Sequence, residues 1–181
     1  MGPRSENDKR WKDPLLCKGS FLYQWYNTHQ MNIFVLDNSP VTSAEMMCDK
    51  HVVKMILESA QMLCSVQTTE APYRRTHFNH PCTKWVRESK SNYQWLISHS
   101  YALCKEYTNR YLKVHKTQKV IDWCDVNRPI LSCGGLTPFA QAMPVKYKDE
   151  NAVKAYRAYY LGEKSGFAKW KNGNQPFWYM V

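Results

Sequence analysis

The sequence predicts a mainly α fold: a single compact domain of three principal helices joined by long irregular connections, spanning residues 31–181. Three observations predict it. Apolar residues recur at helical spacing over about residues 44–65, 83–113 and 151–167, the 3.6-residue period that buries one side of a helix. Alternating runs that would mark strands are scarce. A Pro- and Gly-rich connection at 127–144 separates the second helix from the third.

Residues 1–30 read as an extension outside the domain, flexible over its polar, charged, Pro-bearing residues 1–14. Phe21–Tyr26 is a short aromatic run within it. Met31 opens an apolar run, Met-Asn-Ile-Phe-Val-Leu, too short to separate strand from helix. Asp37–Pro40 is a turn, after which Thr42 or Ser43 is expected to cap the first helix. Ala44, Met47, Cys48, Val52, Met55, Ile56, Ser59, Met62 and Leu63 form its apolar side. Residues 68–81 are a polar loop. The second helix carries Trp85, Tyr93, Leu96, Leu103, Tyr107 and Tyr111 at helical spacing. The third carries Val153, Tyr156, Tyr160 and Leu161, and an irregular aromatic tail follows from Trp170.

A chain of 181 residues at 44% hydrophobic content has enough apolar surface for a core and too much for a disordered polymer. Mean hydropathy is −0.60, and no run approaches the ~18 apolar residues of a membrane span. The N-terminus lacks a signal-peptide pattern, so the expected location is the cytoplasm. The seven cysteines are scattered, with no CxxC pair, as expected for reduced thiols rather than a zinc ribbon.

Charge gives the first positive clue to function. The net charge is +10 and aromatics reach 14%, the composition of a polyanion binder whose rings stack on bases, or equally of a basic protein with an aromatic core. The charge is uneven: residues 31–66 sum to −2, whereas 67–119 sum to +7.

Three places can carry chemistry. On the first helix, seven residues return a side chain to within about 20° of its start. His51 and Glu58 therefore share a stripe, with Lys54 and Gln61 beside it. The same pattern suits a plain i,i+4 pair, Lys54 with Glu58, on a solvated face. In the loop, Arg74, Arg75, His77 and His80 suit phosphates and bases, with Lys84 and Arg87 following. The spacing His77-x-x-His80-x-Cys82 is a weak metal pattern, and no metal or cofactor is expected. In the C-terminal segment, Arg157, Lys164, Lys169, Trp170 and Lys171 interleave with aromatics, as a DNA-contacting surface or the rim of a core would. A nucleotide-binding glycine loop, a nucleophile elbow, an H-E-x-x-H motif and the zinc-deaminase pattern are all missing.

Asp49-Lys-His51 with Glu58 on one helix, then Asn79-His-Pro81, the long helix through Tyr93 and Tyr107, and the aromatic-basic tail resemble phage-type proteins grouped with pyrimidine-dimer DNA glycosylases. The resemblance is distant and strongest over 31–116. It implies a helical DNA glycosylase acting on a damaged or modified pyrimidine in double-stranded DNA, with Glu58 against the sugar and His51 near it. Separately from the resemblance, the chain is expected to be a monomer. Family members that act as lyases attack C1′ with the α-amine of their first residue. The matching start here is Met31 or Asn32, thirty residues into the chain, so the expectation is hydrolysis or an internal amine such as Lys50 or Lys54. Two alternatives stand beside this reading: a non-catalytic DNA-binding protein, and another phage-related enzyme that modifies a base without removing it.

Overall fold

The computed structural model describes residues 31–68, 70–173 and 175–180. The reading of residues 1–30 as an extension falls outside these. Six α-helices occur among the described residues, with no strand: α1 (Pro40–Glu45), α2 (Asp49–Ser65), α3 (Pro81–Glu88), α4 (Lys90–Tyr111), α5 (Gln118–Val126) and α6 (Ala152–Glu163). Single 3₁₀ turns lie at Val145–Tyr147, Lys171–Gly173 and Phe177–Tyr179.

The mainly α expectation holds, but the helices are more finely divided. The first predicted helix is two. Ser39, not Thr42 or Ser43, caps α1, with Pro40 in the first helical position, where its missing N–H costs nothing. Ser43 instead uses its hydroxyl on the Met31–Leu36 run, accepting from Leu36 N and donating to Phe34 O. The chain breaks at 46–48 because its free carbonyls find better partners. Arg110 donates to Glu45 O and Met47 O, and Trp170 Nε1 donates to Met46 O. The second predicted helix is likewise split, at Ser89. Its extended backbone starts α4, and its hydroxyl accepts from Asn92 N.

α4 is the central element, packed by α1, α2, α3 and α5, while α2 also touches α3 and α5. Tyr156 and Tyr160 of α6 are fully buried in the same core as Leu36, Ile56 and Leu96. Arg110 is buried too. Its guanidinium is satisfied by two main-chain carbonyls, Asp49 and Glu106, the full hydrogen bonding a buried charge requires. Of the described cysteines, Cys48, Cys64, Cys82, Cys104 and Cys124 are buried, Cys133 is exposed and all are free. No helix among the described residues is long and apolar enough to cross a membrane.

Candidate active site

The stripe expected on the first helix lies on α2 and holds His51, Glu58 and, seven residues on, Ser65. Its members differ in exposure and partners. Glu58 is only 7% exposed. Its Oε2 accepts the backbone N–H of Asn32 at 3.0 Å, and its Oε1 pairs with Lys54 Nζ at 2.9 Å. Two nitrogens from different parts of the chain thus hold its two oxygens, and Lys54 lies on the open side.

The segment that delivers Asn32 is tightly organised. Its Nδ2 donates to Ala142 O at 2.7 Å, and its Oδ1 accepts from the N–H groups of Ile33 and Phe34. Phe34 has φ 43°, a left-handed conformation that costs an aromatic residue energy and is retained where the surroundings impose it. Its ring stacks on His51 with centroids 4.3 Å apart and faces Tyr159 at 6.0 Å.

His51 is buried beneath that ring. Its Nδ1 shares a hydrogen bond with the Tyr160 hydroxyl, and its edge meets Phe167. Burial, reinforced by the charges of Lys164 and Lys54, lowers its pKa to about 3. At neutral pH His51 is an uncharged packing and hydrogen-bonding group. Asp49, one helical turn before Val53, accepts from Lys171 N and Arg110, anchoring the C-terminal tail to the start of α2.

The basic loop is fastened to both neighbouring helices. Ser65 Oγ accepts from Thr76 N and donates to Thr76 O, tying the loop to the end of the Glu58 stripe. His80 Nδ1 caps α3 through Cys82 N at 3.2 Å. Thr83 Oγ1 reaches Met31 Sδ at 3.8 Å, which brings α3 beside the Asn32 segment. Cys82 is buried and its thiol pKa is pushed up to about 12. No group of three or more His, Cys, Asp and Glu side chains converges as a metal cluster among the described residues.

The expected DNA-contacting residues fall into two sets. Arg74, Arg75, His77, Lys84, Lys169 and Lys171 are exposed. Lys84 and Arg87 line an open groove with Pro81, Trp85 and Pro138. The others are engaged within the fold. Arg157 donates to Leu36 O and reaches Asp37; Trp170 is docked through Met46 O against Tyr179; Lys164 hydrogen-bonds Tyr159 OH and lies 4.4 Å from its ring centroid. Phe78, between Arg75 and Arg87 at 4.8 and 3.8 Å, is a partly exposed aromatic on the same loop.

Phe34, Tyr160 and Arg110 were absent from the candidate residues, and Asn32 entered only as a possible match to the family's first residue, not as a partner of Glu58. Asn32 carried a signal, being the one polar side chain in the run from Met31 to Leu36. Arg110 carried none, because a buried arginine and a surface arginine read alike in a helix.

The family model described as pyrimidine dimer DNA glycosylase matches residues 31–120. No curated protein and no solved structure matches the chain. The matched stretch includes Asn32, His51, Glu58, the basic loop and Arg110. The family indicates a DNA glycosylase kind of function with DNA as substrate. Residues 31–120 carry the pattern of the pyrimidine dimer DNA glycosylases, the family that the Asp49–His51, Glu58 and Asn79–Pro81 blocks resemble.

Proposed function

We propose that this protein cleaves the N-glycosidic bond of a damaged or chemically modified pyrimidine in double-stranded DNA, leaving an abasic site. The observation that carries this reading is Glu58, a nearly buried carboxylate held between Asn32 N and Lys54 Nζ in a basic molecule. A pure DNA binder gains nothing from a carboxylate fixed near a phosphate surface. As the bond breaks, its electron pair leaves with the base and positive charge builds on the sugar. A fixed carboxylate beneath C1′ stabilises that charge without reorganising. Glu58 also accepts a proton from an attacking water.

His51 acts as a positioning residue. It supports Phe34, and Phe34 fixes the turn that presents Asn32 to Glu58. The exposed Arg74, Arg75, Lys84, Lys169 and Lys171 supply phosphate contacts.

The Asn32 nitrogen is a peptide amide in this chain, and its delocalised lone pair makes it no nucleophile. The amine within reach of Glu58 is Lys54; Lys50 lies 5.0 Å over the Phe167 ring. Cleavage is therefore assigned to water or to Lys54. Borohydride treatment during turnover tests this. An adduct on Lys54 selects the amine route, base release without an adduct selects water, and an adduct on the Asn32 amine of a processed chain overturns both. The function itself is tested by base release and alkali-sensitive breaks across ultraviolet-irradiated and naturally modified duplexes. Binding without release from any of them counts against it.

A further inference from the structure

We propose that Val53 and Leu57 form an apolar wedge on the outer face of α2, making the protein prefer DNA whose bases are already unstacked. This rests on the reading above only in that the Glu58 helix meets DNA.

Every other Val, Leu, Ile or Met side chain on α2 is buried, yet Val53 is 39% and Leu57 41% exposed. They stand four residues apart, hence on neighbouring turns of one face and about 6 Å apart along the axis. By helical geometry Leu57 lies about 100° round from Glu58, with Lys54 about 40° and Lys50 about 80° round in the same direction. The exposed face of α2 is thus an apolar pair with two lysines between it and the carboxylate, and Asp49, which is held by Arg110 and Lys171 N, on its far side. Lys54 points its ammonium to Glu58, and Lys50 lies against Phe167.

The charge pattern selects the occupant. A second copy meeting this face through a two-fold axis would bring lysines against lysines. A regular duplex satisfies the lysines but offers the apolar pair only stacked bases beneath sugars and phosphates. DNA with a vacated or unstacked step satisfies both, because its phosphates meet Lys50 and Lys54 while the opened step presents apolar base faces. Leu is among the side chains that proteins insert at such steps. The preference arises because the apolar area of Val53 and Leu57 leaves water only when a step is open.

The test uses the full chain and two fluorescent duplexes of identical sequence, one carrying a central tetrahydrofuran abasic analogue that has no base to release. Wild type should bind the analogue duplex more tightly than the regular one. The double variant Val53→Ala/Leu57→Ala keeps good helix formers at both positions. It should lose roughly tenfold of that preference, with affinity for the regular duplex within about twofold. An unchanged ratio in the double variant overturns the proposal, as does a wild type without preference. Concentration-dependent self-association that the double variant abolishes would reassign the face to a second copy. Because the readout is binding, loss of the wedge is distinguishable from loss of glycosylase activity. Absent base release with an intact ratio would leave the wedge standing.

Discussion

Acidification to pH 5 should destabilise this protein through two buried histidines. His51 is 6% exposed and His99 is fully buried. Burial lowers the first pKa to about 3 and the second to about 4. His99 Nδ1 contacts Pro40 O at 2.8 Å, its ring stacks on Trp95, and its Nε2 has no partner among the described residues. Both stay neutral in the folded chain at pH 5, whereas in the unfolded chain each takes up a proton below about 6.5. The unfolded state then binds more protons, so stability falls as pH falls. Each contribution is complete above pH 6.5 and is lost progressively as pH falls towards the folded-state pKa. Between pH 7.5 and 5 each histidine removes about 2 kcal/mol, at 1.36 kcal/mol per unit of pKa difference. Together they remove ~4 kcal/mol, a large part of the 5–15 kcal/mol typical of a domain. The assay is urea unfolding at both pH values for wild type and His99→Phe, which keeps a stacking ring and cannot titrate. The variant should retain about half of the wild-type pH sensitivity. Identical pH sensitivity in the two proteins, or a His99 resonance titrating near 6.5, would refute the reasoning.

Three further outcomes are expected. Arg110→Met should cost about 3–5 kcal/mol, because it leaves Glu106 buried without its cation and strips two carbonyls of their donor; a melting temperature within two degrees of wild type would contradict this. Duplex DNA binding should weaken steeply with salt, and Arg74→Ala should reduce the slope of log K against log salt by about 1; a salt-independent constant would remove the phosphate contacts. Tyr160→Phe, which takes the hydroxyl from His51 Nδ1, should slow base release while leaving DNA affinity unchanged; an unaltered rate would detach His51 from the site.

The helices were legible because α2 and α4 bury long, regularly spaced apolar sides. The breaks at 46–48 and 89 were not, because they depend on partners remote in sequence: Arg110 and Trp170 for the first, Ser132 O, which accepts from Lys90 N, and Gly135 O, which accepts from the Ser89 hydroxyl, for the second. α5 was missed because nine residues with only Val120, Ile121 and Cys124 buried give too short a pattern. For the candidate site, the Glu58–His51 stripe and the Lys54 pair were readable from helical arithmetic. The arithmetic placed both residues on one side but not at their depth. The alternative of a plain i,i+4 pair on a solvated face gives way to a buried carboxylate that also takes the Asn32 amide, a contact 26 residues distant in the chain. Interleaved basic and aromatic residues in the tail looked uniform, yet Arg157 and Trp170 are internal fasteners while Lys169 and Lys171 face out.

The central claim is that Glu58 is the catalytic carboxylate. Its most direct test is single-turnover base release from a confirmed substrate by wild type and Glu58→Gln. The glutamine carbonyl can still accept the Asn32 N–H, so the variant loses the charge and the Lys54 pair. It should remain folded, at a cost of about 1 kcal/mol, and bind DNA at least as tightly, since a negative charge near phosphate is gone. Release should fall by on the order of a hundredfold or more. Release at near the wild-type rate by a folded, DNA-binding Glu58→Gln protein would contradict the account.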